Sequence, residues 1–521
     1  MRRLLLALLL ALAGLTAARA EMALNRGNGA EPDSLDPHFA GGVAEENIIG
    51  DLLMGLTTLD AAARPIPGAA ERWEVSPDGL TWTFHLRDHA WSDGTKVAAG
   101  DFVFGWRRLL DPKTASRYAY NLWVVKNARA VSEGKFPPSA LGAMAKDART
   151  LVVTLEHPAP YLPELLAGLQ AMPLPRHVVA AKGGAWARPG TYVSNGPYRL
   201  AEWRPNDHVT LLKNPRFYDA AHVRIDRVTF HPTIDTNAAL KRYRAGELDT
   251  QTPAPLAQIA WLRANLKNEL HITPSLALSY IAFNLDDPPL KDARVRRALN
   301  LVYNREAIVD KVLKLGEAPA WSYVPPGTAN YSGSPAPDFR KLPYAARVAQ
   351  AQSLMRAAGY GPFNRLALTF ATTTNPESRR LAVIFQAMVK PIHVDLTIRG
   401  SDFQIHQRNL RQRQFQLGAA SWYADFNDAS NFLDLLRSDA GNNYAGYRNP
   451  KFDALLDAAQ SQSDLKKRGA LLQAAENMAM ADYPWLVTRF AVQSDLVKPY
   501  VRGWTPNPRD FHRSRWLWIG K

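Results

Sequence analysis

The chain of 521 residues contains no cysteine. That absence excludes disulfides, thiolate metal sites and a lipid-modified N-terminal cysteine. Beyond the first twenty residues there is no run of about 18 apolar residues of the kind that spans a bilayer. Short motifs that carry chemistry are missing as well: there is no Gly-x-Ser-x-Gly, no His-Glu-x-x-His and no Gly-x-x-x-x-Gly-Lys. The 12 histidines do not pair at metal-ligand spacing. No metal and no cofactor is expected. Catalytic triads are assembled from distant positions, so a motif search does not by itself dispose of an enzyme, but it gives no positive reason for one. His38, after a Leu-Asp-Pro turn, His85, on the polar side of a strand, and His406, in a polar helical stretch, read as solvated or internally satisfied. Asp286 and Asp287 precede Pro288 and read as turn residues.

Residues 1–20 read as an export signal. Arg2 and Arg3 form a charged start, Leu4 to Leu15 an apolar core too short to cross a bilayer, and Ala18-Arg19-Ala20 a small-x-small cleavage site. The mature chain is expected to start at Glu21 as a soluble protein of the bacterial periplasm. Its length suggests several domains. The composition, 46% hydrophobic and 21% charged, is that of a globular protein. The formal charge is +15, but the basic residues are scattered. The densest groups, Arg294/Arg296/Arg297 and Lys466/Lys467/Arg468, lie on charge-mixed helical segments and are expected to be solvated faces rather than a nucleic-acid surface.

Periodicity gives an α/β pattern. Thr81 to Arg87 alternates as a half-buried strand, and Ala99 to Leu110 follows as a helix capped near Asp101. Val209–Leu212, Val228–Phe230, Leu366–Phe370 and Val394–Ile398 are further strands. Helices are expected over Thr236–Ala245, Arg294–Leu313, Tyr344–Ala358, Lys451–Gln460 and Leu465–Met480. Strands and helices alternate through most of the chain, without internal repeats or a low-complexity linker.

The segment Ser421-Trp422-Tyr423-Ala424-Asp425-Phe426-Asn427-Asp428 sets a carboxylate among three aromatic rings. A buried carboxylate needs a cationic partner. If no Lys or Arg supplies it, a ligand ammonium does. The alternative is that Asp425 caps a helix or turn.

Several motifs in order resemble a known family. They are Leu35-Asp36-Pro37-His38, Gly68-Ala69-Ala70-Glu71-Arg72-Trp73, Thr81 to Arg87, Trp91-Ser92-Asp93-Gly94-Thr95 and Asp101-Phe102. Ser194-Asn195-Gly196-Pro197-Tyr198, Asn214-Pro215-Arg216-Phe217-Tyr218, Arg244-Ala245-Gly246-Glu247-Leu248-Asp249 and Val295-Arg296-Arg297-Ala298-Leu299 continue the set. Together they span nearly the whole mature chain. The set resembles the oligopeptide-binding proteins of ABC importers, solute-binding family 5, including the murein-peptide receptor subgroup.

The resemblance implies a two-lobed, clamp-like α/β periplasmic binding protein of class II with an additional third domain. One lobe would be residues 21–54, 178–276 and 491–521, the additional domain 55–177, and the second lobe 277–490. The lobes would close over an extended peptide bound by main-chain hydrogen bonds. The protein would act as a monomer that delivers peptide to an inner-membrane ABC permease. By the same resemblance Asp425 pairs with the peptide ammonium and Trp422 forms a side-chain pocket wall. Tyr118 contacts the ligand, and Val43, Ser421 and Tyr423 meet it through their main chain. Arginines and a histidine that meet a ligand carboxylate in the family fall on Ala419, near Leu410, and on Ser378, with Arg411 or Arg413 as substitutes and Lys314 as a retained lysine. The amine end of a ligand is therefore recognisable here and the carboxylate end is altered, which fits a longer, branched or C-terminally capped peptide. Other solutes on the same fold (a murein peptide, dipeptide, nickel complex, haem or opine), and a periplasmic chaperone or hydrolase, are the alternatives.

Overall fold

The computed structural model describes residues 21–520 apart from 334 and 335; the expected signal segment lies outside the described residues. The protein is a mixed α/β structure built on an 11-stranded sheet. In spatial order its strands begin at Val394, Leu366, Leu417, Leu270, Trp485, Thr250, Ala23, Arg227, His208 and Tyr198, with the short strand Ala318–Pro319 added beside Trp485–Val497. Val394–Ser401 and Leu366–Thr373 pair in parallel, as do Ala23–Gly27 and Arg227–His231, whereas the central strands are antiparallel.

Two long strands, Leu270–Phe283 and Trp485–Val497, pass from one half of the molecule to the other. At one end Trp485–Val497 carries Thr250–Gln251 at Val497 and Leu496. At the other end Leu270–Phe283 carries Leu417–Tyr423. The ladder between the long strands slips between Pro274 and Leu278. Pro274 has no N–H to give to a ladder, so the interruption falls where pairing is weakest. On one side of it a core runs from Leu24 to Phe230 and resumes at Val497, Val501 and Leu517. On the other, two clusters run from Ile259 to Phe490. Within the first core lies a second, four-stranded sheet, formed by Ala70–Val75, Thr81–Leu86, Thr150–Thr154 and Ala143–Ala145. Trp82, Phe84 and Leu86 point inward from it, as the alternation requires. No described helix is long and apolar enough to cross a membrane.

Most expected elements form close to their expected limits, and the departures have physical causes. Asp101 is the third residue of helix Ala99–Leu110 and not its cap; its carboxylate accepts from the Ala98 N–H at 2.9 Å. The apolar spacing from Arg294 to Leu313 is not one helix. Ala293–Val302 stops at Tyr303, Asn304 caps the next turn by accepting from the Ala307 N–H, and Ile308–Leu313 is a π-turn. The break lets Arg305 turn inward, where its guanidinium donates to the carbonyls of Val487 and Asn300. The two basic clusters are not uniformly solvated. Arg296 is buried and donates to the Leu290, Lys291 and Asp482 carbonyls. Arg468 is buried too, because helix Leu465–Asp482 turns it inward while Lys466 and Lys467 face out. His38 is fully buried, with Nδ1 2.8 Å from Arg108, and desolvation pushes it down to about 3.

Candidate functional site

The strand Leu417–Tyr423 delivers most of the candidate residues. All seven pair antiparallel with Ala277–Phe283 along one edge. Along the other edge only Leu417 and Gly418 are paired, with Phe370 and Ala371. From Ala419 to Tyr423 that edge has no partner strand among the described residues. Antiparallel ladders alternate the in-plane direction of successive peptide groups. The Ala424 N–H donates to the Leu276 carbonyl at 2.9 Å, so Ala420, Trp422 and Ala424 face the long strand. Ala419, Ser421 and Tyr423 therefore turn their N–H and C=O outward. His406 Nε2, 2.7 Å from the Ala419 carbonyl oxygen, agrees with that phase. The main chain of Ser421 and Tyr423 is thus an open edge, with Tyr423 60% exposed, and it is able to accept another extended segment.

Beyond Tyr423 the chain turns, and three similar side chains have different fates. Asp428 is buried against Arg468 in a two-pronged pair at 2.7 and 2.8 Å. Its carboxylate also accepts from the Ser430 N–H and hydroxyl at 3.0 and 2.7 Å, where the short helix Ser430–Leu433 begins. Asp428, and not Asp425, thus holds the turn that leads into this helix. Asn427 is pinned on both sides: its Oδ1 accepts from Ala329 N–H at 2.8 Å, and its own N–H donates to Glu164 at 2.6 Å. Asp425 has no ion-pair partner among the described residues. Its N–H donates to Asn431 Oδ1 at 3.2 Å, and the same oxygen accepts from Trp422 Nε1 at 2.7 Å. Burial pushes the Asp425 carboxyl up to about 6, opposed by the charge of Arg509 and a hydrogen bond from Asn431. Arg509 is already engaged with Glu164 at 3.5 Å.

The turn docks on the opposite half. Phe426 stacks on Tyr161 at 4.2 Å, and Tyr161 lies over the Arg468 guanidinium. Trp422 is half-buried and packs against the second half's core. Val43 and Tyr118 come together in a cavity of about 660 Å³ on the first half. Val43 opens helix Val43–Leu52 and is exposed. The Tyr118 ring packs directly over Gly41, where a Cβ would displace it. The Tyr120 hydroxyl is pushed up by burial, then by the charge of the Asp425 carboxylate, then by Tyr118.

Ser378 and Ala419 line a second cavity of about 530 Å³, together with Ser421 and Tyr423. The proposed substitutes for the missing cations lie elsewhere. Leu410 is core, Arg413 sits 3.9 Å from Asp286, and Arg411 and Lys314 line neither cavity. Sequence reading missed Asn431, Tyr120, Glu164 and Arg509. Asn431 lies only six residues from Asp425 but carries no motif, and the others come from distant segments.

One described group gathers three residues of metal-ligand type, Asp495, Asp510 and His512. Burial pushes Asp495 up to about 8 and Asp510 up to about 6, and the two carboxyls hydrogen-bond to each other. Arg26 and Arg513 add positive charge around His512.

An open strand edge that ends at an unpaired carboxylate, between two cores joined by two strands, is the architecture of a binding protein. The model of the bacterial extracellular solute-binding proteins, family 5 Middle, matches residues 64–444. The chain is 36% identical over 496 residues to the periplasmic murein peptide-binding protein MppA of Escherichia coli K12, covering 94% of this chain and 92% of that protein. It is 37% identical over 497 residues to the probable deoxycholate-binding periplasmic protein YgiS of the same organism, with the same coverage of 94% and 92%. The solved structure of Haemophilus influenzae OppA in complex with RPPGFSPFR matches with a TM-score of 0.82 at 35% identity, over 96% of this chain and 99% of that one. The chain belongs to family 5 of the bacterial extracellular solute-binding proteins.

Proposed function

We propose that this protein is a periplasmic receptor that captures peptides by their main chain, holds the α-ammonium at Asp425 and passes the ligand to an inner-membrane ABC permease. The observation that carries the reading is the continuity of the open edge at Ser421 and Tyr423 with the unpaired carboxylate of Asp425. A peptide added to that edge gains main-chain hydrogen bonds without its side chains being read, and a terminal ammonium beside Tyr423 reaches an anion already fixed by Asn431. A relative named for murein peptide and a similar structure solved with the peptide RPPGFSPFR support the ligand class. In this reading the lobes are residues 21–54 with 178–276 and 491–521, and residues 277–490. Residues 55–177 form the additional domain, and the slip near Pro274 lies at the crossing between lobes. The mature chain starts near Glu21 and works as a monomer without catalysis.

Native mass spectrometry of protein isolated from periplasm, followed by denaturation, tests this directly. Released peptides with free amines are expected; a bile acid, haem or metal complex as the sole ligand overturns the peptide reading.

The carboxyl of Asp425 gives the binding a pH signature. In the free receptor it titrates at about 6, and an ammonium partner lowers that value. Binding therefore releases a proton when the pH lies near or below 6, and affinity falls as the pH drops through that value. Calorimetry at pH 7.5 and pH 5 is expected to show about a tenfold weakening at the lower pH, with Asp425→Asn flat across the range. Equal affinity at both values for the natural protein sinks the assignment.

A further inference from the structure

The cavity beside the open edge has a definite charge. Its wall contains one guanidinium, Arg489, and that group is taken: Glu317 lies 2.7 Å from it and Glu377 3.1 Å. Glu317 is buried, whereas Glu377 is half open to the cavity side of helix Pro376–Val389. One cation therefore faces two carboxylates, and a third, Asp402, stands in the same wall. Two helices begin here, Pro376–Val389 and Phe403–Arg411, and their N-terminal N–H groups would otherwise attract an anion. Each start is already capped. Asn375 Oδ1 accepts from Ser378 N–H at 2.8 Å, and Asp402 Oδ1 accepts from Ile405 N–H at 3.1 Å. The Ser378 hydroxyl is bound by Thr373 and Asn375 at 2.9 and 2.8 Å. His406, the remaining basic group, faces the Ala419 carbonyl with Nε2, and its Nδ1 is sealed from solvent. The rest of the wall is apolar or hydroxyl-bearing, with Ile281, Phe370, Leu381, Phe385 and Phe403 among it.

Building on the peptide reading above, we propose that this cavity selects against a free carboxylate and takes a peptide segment ending in a hydrogen-bond donor: an amide or an ammonium. A ligand anchored by its amine at Asp425 and laid along Tyr423 and Ser421 enters this cavity at Ala419. A terminal carboxylate placed there meets the carboxylates of Glu377 and Asp402 without an unclaimed cation and loses its water. A carboxamide or an ammonium instead donates to Glu377.

Calorimetry with the full mature protein at pH 7.5 decides the matter, using Ala-Ala-Ala, its C-terminal amide, and the N-acetyl form of each. The amide is expected to bind at least tenfold more tightly than the free acid. Glu377→Gln, which leaves Arg489 facing Glu317 alone, is expected to narrow that ratio severalfold. Ala419→Arg, which adds an unclaimed cation to the wall, is expected to reverse it. A free acid that binds as tightly as the amide overturns the proposal, as does a ratio untouched by both substitutions. The acetylated pair keeps the two readings apart. If acetylation abolishes binding while acid and amide bind alike, the amine anchor stands and the cavity proposal fails. If acetylation changes nothing while the amide is preferred, the cavity proposal stands and the amine anchor fails.

Discussion

Asp425→Asn lowers the affinity for a free-amine peptide by about 2–5 kcal/mol, because it leaves an ammonium unpaired in a desolvated site. The substitution preserves shape, and Asn431 still reaches the residue-425 N–H and Trp422 Nε1. The loss therefore reports charge and not collapse of the turn. Acetylating the peptide amine of the natural receptor removes the other half of the pair and is expected to cost a similar amount. Acetylation of the ligand for Asp425→Asn then adds little, since one interaction is removed only once. Calorimetry of the four combinations checks this, and additive losses overturn the pairing.

The same substitution has an opposite effect on the ligand-free protein. The Asp425 carboxyl is raised from 3.8 to about 6 by burial, against Arg509 and Asn431. A group whose folded value lies above its unfolded one stabilises the fold below the unfolded value and loses that contribution as the pH rises through the folded one. At neutral pH the charged, half-buried carboxylate is thus a liability of at most about 3 kcal/mol. Asp425→Asn is expected to raise the unfolding midpoint of empty protein at pH 7 and to leave it unchanged near pH 3. A residue that weakens the empty fold and strengthens the complex is what a binding role predicts; a residue kept for packing or capping would lower stability when replaced.

Local pattern carried much of the fold and little of the wiring. The two-residue period of Thr81–Leu86 and the apolar spacing of Leu366, Leu368 and Phe370 are written in neighbouring residues, and both form the expected strands. The order of strands in the sheet is not local, because Leu417–Tyr423 pairs with a segment about 140 positions earlier. Its free edge is visible only once Leu366–Thr373 is seen to stop pairing at Ala371. The site shows the same division. Asp425 among aromatic rings was conspicuous in sequence, but its lack of a partner was not. That depends on Arg468 having been claimed by Asp428, and on Asn427 having been tied to Ala329 and Glu164. Charge patterning assigns Arg468 to solvent with Lys466 and Lys467, since three adjacent basic residues carry no mark of which one faces in.

Arg468→Met destabilises the protein by about 3–5 kcal/mol, because it strands the Asp428 carboxylate in a dry interior. Both partners are almost wholly buried, the pair is two-pronged, and the Arg468 guanidinium also faces the Tyr161 ring. The consequence reaches the proposed binding site, since Asp428 holds Ser430, the first residue of the helix that carries Asn431, and Asn431 bonds both Trp422 and the Asp425 N–H. Peptide affinity is therefore expected to fall as well, although Arg468 touches no ligand. Two further measurements separate a stranded charge from a simple loss of packing. Protonation of the orphaned Asp428 at acid pH relieves the penalty, so denaturation midpoints of Arg468→Met and the natural protein converge as the pH falls. Adding Asp428→Asn to Arg468→Met removes the stranded charge and recovers part of the loss at neutral pH. A deficit that is the same at every pH and unchanged in the double variant overturns the ion-pair account and leaves Arg468 as packing alone.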